Sequence, residues 1–201
     1  MATTARLREF LKEKKDGEMF AARDVLNFSR RRPTVYAALY RLNKLGEVTR
    51  VAQGLYIKGG DHLPKPSVSE IAHAKAHAFC KNVAQIGLNF ARRIGIEIAA
   101  KSLAIFATSG RSYTIWSCHG PIQMVGVSSR KIALQDSDLG IELRTMWHFG
   151  RRADSAPFQQ NAARWSESNR QQNDPRFGLL PYWLSAMLPL INTGRSPLLI
   201  E

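Results

Sequence analysis

Between Phe20 and Lys58 the chain reads FAARDVLNFSRRRPTVYAALYRLNKLGEVTRVAQGLYIK, and this stretch restricts the possible folds more than any other. Residues 22–28 have helical spacing, with Val25, Leu26 and Phe28 as core candidates. A basic turn, Arg30-Arg31-Arg32, follows. Pro33 comes next, and its missing N–H costs nothing in the first turn of a helix. From 33 to 45, Val35, Leu39, Leu42 and Leu45 recur at helical spacing, and Gly46 is placed to close the helix in a left-handed conformation. Residues 48–51 and 55–58 then read as two strands around Gln53-Gly54, a turn whose glycine admits positive φ. Upstream, residues 4–15 carry Leu7, Phe10 and Leu11 on an inward face, with Arg6, Arg8, Lys12 and Lys14 outward. Asp16-Gly17 ends that helix, and Phe20 is expected in a short strand or as a packing staple. Two helices, a basic turn, a helix opened by proline and a hairpin make the order of a winged helix-turn-helix.

Charge sharpens this expectation. Of 201 residues, 29 are Lys or Arg and 16 are Asp or Glu, for a net charge of +13. Residues 1–60 alone hold 13 basic and six acidic side chains, so the excess is densest where the helix-turn-helix pattern lies. Such an imbalance implies an anionic partner, with nucleic acid ahead of a membrane surface. Hydrophobic residues make up 44%, enough for a core. Two cysteines, Cys80 and Cys118, provide no disulfide framework and suit a reducing compartment. Residues 1–16 are charged and amphipathic rather than a secretory apolar segment, and the apolar stretch 179–191 is short and interrupted by Pro181 and Pro189. A cytoplasmic protein without membrane contact is the expectation.

The rest of the chain reads as a second α+β region. GGDHLPKP at 59–66 looks like a boundary. Ser67 and Glu70 form a capping box, so a helix is predicted from 68 to about 82. A short helix fits 88–93 and ends near Gly95. Short β-branched or aromatic runs at 103–108, 113–117, 122–127 and 131–134 predict a small antiparallel sheet packed on the helix from 68. Residues 139–149 return to helix, 153–178 are polar and irregular, and 179–191 suggest an apolar helix docking on the second domain. The predicted class is therefore α+β: a winged helix-turn-helix at 1–60, an α+β domain at 67–150, and a C-terminal extension at 151–201.

Candidate contact residues follow from the geometry of a helix entering a major groove, which needs a basic N-terminal end and a rigid apolar back. Arg30, Arg31, Arg32, Thr34, Tyr36, Tyr40, Arg41 and Lys44 occupy the turn and outer helix face, while Arg50, Gln53 and Lys58 occupy the hairpin. Arginine grips guanine bidentately or clamps phosphate, and spacing does not separate the two roles. His73, His77 and Cys80 share a helical face, and Cys118-His119 stand together, but without an acidic partner or a CxxC pair they read as core-edge residues rather than a metal site. Asp136 and Asp138 fall where a turn is expected and read as a polar loop. Tyr113, Trp116, Trp147, Trp165, Tyr182 and Trp183 could stack on bases, yet such residues more often pack, and Trp116 stays open between the two. No GxSxG, Walker loop or HExxH is present, so neither catalysis nor a cofactor is expected.

The 20–58 segment resembles the N-terminal winged helix of AbiEi-type antitoxins from type IV toxin–antitoxin systems. PSVSEIAHAKAHAFCKNVAQIGLNFARRIGI looks like the helical start of the next domain in short relatives, and the run from Leu103 to Leu134, with its TSGRSYTI segment, resembles their strand set. The likeness covers residues 5–150 and continues weakly into LLPYWL. It implies a bacterial or plasmid-borne protein that represses its own operon, binds double-stranded operator DNA, expected to be an inverted repeat, and neutralises a nucleotidyltransferase-like toxin through its second domain. Ala21-Ala22 stand where a capping Ser or Thr is expected, which weakens the following helix by about 1 kcal/mol. Two other readings remain: a protein-interaction module that neutralises a toxin without specific DNA binding, and a solitary winged-helix regulator.

Overall fold

The computed structural model describes residues 3–96, 98, 104–150, 165 and 174–188. The architecture is α+β, and the chain divides into two compact units. Unit 1 comprises Met1–Val83 and Lys101–Gly126, and unit 2 comprises Ala84–Ala100 and Val127–Glu201. The contacts therefore do not divide the chain at GGDHLPKP, nor into the segments 1–60, 67–150 and 151–201. Of the polar stretch expected at 153–178, all but Trp165 and 174–178 lies outside the described residues, as do 189–191 of the expected apolar helix.

In unit 1, α1 (Thr3–Lys12) is followed by β1 (Met19–Ala21), a 3-10 helix (Ala22–Phe28), α2 (Arg32–Lys44), β2 (Val48–Ala52) and β3 (Leu55–Lys58). The segment 22–28 is a 3-10 helix, entered from Ala21, whose side chain offers no oxygen to the first-turn N–H groups. Asp24 compensates in part, its Oδ2 accepting the Ala21 N–H at 2.9 Å. At the other end of α2, Glu47 N–H donates to Leu42 O and Gly46 N–H to Asn43 O, with Gly46 at φ +71°. This is a Schellman closure, and it turns the chain straight into β2. Val35, Leu39 and Leu42 are fully buried as the spacing requires, but Leu45 is 65% exposed, because it sits at the turn where the helical face has ended. Leu7, Leu11, Val25 and Phe20 meet the buried face of α2, and a Leu→Ala change among them removes about 2–5 kcal/mol.

The same sheet continues into the second half of unit 1. After α3 (Val68–Ala78) come β5 (Ala104–Thr108), β6 (Tyr113–Ser117) and β7 (Gly120–Gly126), while β4 (Val83–Ile86), a strand not expected from the sequence, begins at the last residue of the unit's first segment. The six strands of unit 1 run in the order β1-β3-β2-β6-β7-β5. The seam is the β2–β6 pairing, Ala52 opposite Ser117, reinforced by Cys118 N–H to Val51 O at 2.8 Å. Val51, Leu55 and Ile57 from the hairpin share one core with Ile71 of α3, Phe106 and Ile115. The hairpin and the later strands thus share one sheet whose one apolar face packs against α3.

Two strand expectations are corrected. The sheet is mixed rather than antiparallel: β6 and β7 form a hairpin, but β5 lies parallel to β7 in register from Ala104↔Ile122 to Thr108↔Gly126. The reason is visible in the 109–112 loop, which crosses the end of β7 instead of forming a hairpin. Ser112 Oγ accepts the Gly126 N–H at 2.9 Å, and a Cβ on Gly126 would lie 2.6 Å from Gly110 O. Residues 131–134 are not a strand, since α5 covers Ser129–Ile132. The expected helix from 68 to 82 stops at Ala78, closed by Cys80 at φ +53° with Cys80 N–H to His77 O and Lys81 N–H to Ala76 O.

Unit 2 packs α4 (Leu88–Arg93), α6 (Asp138–Phe149) and α7 (Tyr182–Met187) around Phe90, Ile94, Leu143, Met146 and Leu184. Arg144 of α6 is 0% exposed. Its Nε donates to Lys131 O at 3.1 Å, one terminal nitrogen donates to Gln85 O at 2.6 Å and Asp136 Oδ1 at 2.8 Å, and the other donates to Gln135 O. Gly140 is needed here, because a Cβ would collide with the carbonyl oxygens of Leu134 and Gln135. Among the described residues no helix is long and apolar enough to cross a membrane.

Candidate nucleic-acid interface

The hairpin of unit 1 has two ends of opposite character. Its base is defined by Val48 opposite Lys58, with Gly59 N–H donating to Glu47 O and Gly17 N–H to Lys58 O. Its tip is Gln53-Gly54, where Ala22 N–H donates to Gly54 O.

At the base three carboxylates meet cations. Arg8 pairs with Glu47 at 2.6 Å, Lys14 with Glu18 at 2.6 Å, and Lys58 with Asp16 at 3.2 Å. Glu47 and Glu18 are held below the usual carboxylate range, chiefly by their hydrogen bonds to Arg8 and Lys14 respectively. Lys58 also donates to Lys14 O at 2.8 Å, so this proposed hairpin contact is spent inside the fold, at the end away from the tip.

The other cationic candidates stand differently. Arg30, Arg31, Arg32, Thr34, Tyr36, Tyr40, Arg41 and Lys44 are all exposed, with Tyr36 at 47% and Tyr40 at 63%. Among the described residues no carboxylate pairs with the arginine triplet, Arg41 or Lys44. Arg41 reaches back to Ala37 O at 3.3 Å, and the Lys44 ammonium lies 5.7 Å from the Tyr40 ring centroid. The N-terminus of α2 has neither a capping side chain nor an acidic residue in its first turn. Pro33 has no N–H and the Thr34 N–H donates to Arg31 O at 3.0 Å, so it is the positive end of the helix dipole that lies beside three exposed arginines, an arrangement that favours an anion. The preceding turn is fixed from α1, where Arg6 donates to Phe28 O at 3.3 Å.

The α2 helix ends at the hairpin base. Tyr36 and Arg50 both lie near Tyr56: burial pushes the Tyr56 phenol up, Arg50 opposes this, and Tyr36 adds to it. Arg50 is exposed on β2 and its Nε donates to Ala52 O at 3.3 Å, while Gln53 is exposed at the turn. Arg50 and Gln53 thus stand exposed on the hairpin, whereas Lys58 is half-buried and paired with Asp16.

Three neighbours escaped the sequence reading. Lys75 of α3 donates to Gln53 O at 2.6 Å and holds the tip. Its ammonium and the Arg23 guanidinium lie 5.5 Å and 5.2 Å from the ring centroid of Phe79, which is 48% exposed. The Lys75–Phe79 spacing of four on one helix was a readable signal. Arg23, far away in the chain, was not.

The remaining candidates are placed as follows. His73 bonds through Nδ1 to Ser69 O at 2.9 Å and stands edge-on to Phe106, and Cys80 and Cys118 are exposed free thiols. Among the described residues no three His, Cys, Asp or Glu side chains converge as a metal site. Asp136 is bound by Arg144 and by Gln85 N–H, whereas Asp138 opens α6. Trp116 is 67% exposed on β6. No protein-family model and no curated protein matches the chain.

Proposed function

We propose that this chain binds double-stranded DNA through a winged helix-turn-helix, with α2 as the major-groove helix and the β2–β3 hairpin as the wing, and that it represses its own operon. The element order α1, β1, 3-10 helix, α2, β2, β3, with β1 paired to β3, supports the winged-helix reading. The observation that carries the DNA reading is the separation of charge within one unit. Carboxylates neutralise Arg8, Lys14 and Lys58 at the hairpin base, while among the described residues Arg30, Arg31 and Arg32 stand exposed without carboxylate partners at the uncapped N-terminus of α2, as do Arg41 and Lys44 in its last turn. Electrostatic capture of the duplex precedes groove entry, Arg31 and Arg32 meet phosphate or guanine, and Arg50 and Gln53 lie against the backbone.

The antitoxin role rests on the resemblance to AbiEi-type proteins. In that reading a nucleotidyltransferase-like toxin meets the part of the chain beyond the hairpin, the operator is an inverted repeat, and the chain itself carries no catalysis.

Titration of the full chain into the duplex that precedes its own reading frame tests the DNA reading. Binding should weaken steeply with salt, log K falling against log salt with a slope of about −4 to −5 for five phosphate contacts. Absence of binding at about 50 mM salt would sink it. Co-expression with the adjacent reading frame tests the antitoxin half: rescue from a toxic neighbour is the expected result.

A further inference from the structure

The cluster at Phe79 lies on the tip side of unit 1, beyond any contact assigned to α2 or the hairpin. Two cations converge on one half-exposed ring, and a third, Arg50, is close enough to push the Lys75 ammonium further down after burial has already lowered it. Like charges gathered without a carboxylate work against folding unless an anion joins them. Among the described residues neither Arg23 nor Lys75 has a carboxylate partner, and the neighbouring Asp24 is occupied by the Ala21 N–H. The negative face of the aromatic ring holds the two cations in place at little cost in ordering. Lys75 also grips Gln53 O, so the cluster is tied rigidly to the turn that faces the duplex.

We propose that Arg23, Lys75 and Phe79 form a second contact for the phosphate backbone of the duplex that α2 enters, extending the footprint from the hairpin tip onto α3. This proposal rests on the duplex reading above. The contact reads no bases: the two cations clamp phosphate oxygens, and Phe79 sets their spacing. Its contribution is the same on every sequence.

Fluorescence anisotropy with the full chain and a fluorescein-labelled mixed-sequence duplex of about 30 base pairs tests it across a salt series. The Arg23 side chain makes no hydrogen bond among the described residues, so Arg23→Ala and Arg23→Glu are read first; Lys75→Met, which keeps the buried stem, is read second, with circular dichroism to check folding. Arg23→Ala should make the salt slope shallower by about 0.9, and Arg23→Glu by at least as much, with the same loss on unrelated sequences. An unchanged slope, while Arg31→Ala and Arg32→Ala do weaken binding, would overturn the second contact and leave the duplex reading standing. If none of these variants changes binding, the duplex reading itself fails and takes this one with it. Preferential binding of a single strand, abolished by Phe79→Ala, would reassign the cluster to base stacking and overturn the backbone contact.

Discussion

Arg31 and Arg144 are the same side chain in opposite circumstances. Arg144 is 0% exposed in unit 2, and its fork is matched by three backbone carbonyls and Asp136. Arg31 is exposed at the start of α2 in unit 1, with no carboxylate partner among the described residues. Burial lowers the pKa of Arg144, and Asp136 acts against that effect. A guanidinium is tolerated in a dry interior only when its hydrogens are spoken for, so Arg144 is committed to holding the 131–136 segment against α6. A guanidinium left free beside a bare helix N-terminus contributes little to folding. On the proposed reading it is left free for an anion outside the chain.

The largest effect that tests this contrast is in unit 2. Arg144→Met should cost about 3–5 kcal/mol, because it removes the cation that pairs with Asp136 and leaves the carbonyls of Lys131, Gln85 and Gln135 without their Arg144 donors. Arg144→Lys should recover little, since one ammonium lacks the planar fork that reaches all four acceptors. Urea denaturation monitored by tryptophan fluorescence measures both, and a loss under about 1 kcal/mol would mean that the buried network is not what holds this segment.

A smaller effect belongs to unit 1. Ser67 Oγ accepts the Glu70 N–H at 3.2 Å, and Glu70 Oε2 accepts the Ser67 N–H at 2.7 Å. Ser67→Ala should cost about 1 kcal/mol in the same measurement. It should also let the Glu70 carboxyl rise toward its ordinary range, since the Ser67 hydroxyl is the first cause of its depression. An unmoved Glu70 titration in NMR would contradict the cap.

That cap was legible in the sequence, as were α2, the hairpin and the Gly46 closure, because each is written in residues a few positions apart. What stayed hidden depends on distant partners. The parallel pairing of β5 with β7 follows from a loop passing over Gly126, and nothing in strand composition marks it. Cys80 closes α3 in a left-handed conformation without the glycine that would have announced it, so the helix was read too long. The 131–134 run is too short for its period to separate strand from helix. At the candidate interface, the exposed face of α2 followed from helical spacing. The loss of Lys58 to Asp16, and the gathering of Arg23 and Lys75 on Phe79, required the fold.

Lys131 supplies a test by pH alone. Burial lowers its pKa from 10.5 to about 8. The unfolded chain therefore binds the proton more tightly between pH 8 and 10.5, and the stability contributed by this residue rises with pH across that window. The ammonium lies 5.0 Å from the Trp147 ring centroid. Compared with Lys131→Met, the native chain should gain stability between pH 7 and pH 10, and parallel pH profiles for the two would remove burial as the cause.

The smallest expected effect on folding is the most telling. Arg31 and Arg32 are exposed, and neither side chain has a hydrogen bond or ion pair among the described residues. Removing both, as Arg31→Ala with Arg32→Ala, should leave the melting temperature within about 1 °C, as expected of surface changes away from any structural feature. The same pair should make the salt slope for duplex DNA shallower by about 1.8 if both meet phosphate. If one of them instead reads guanine, discrimination between sequences should fall by about 1–3 kcal/mol at that position. A double variant that melts much lower would place these arginines with Arg144, as parts of the fold. One that keeps both its stability and its affinity would leave the triplet without a role on either side of the comparison.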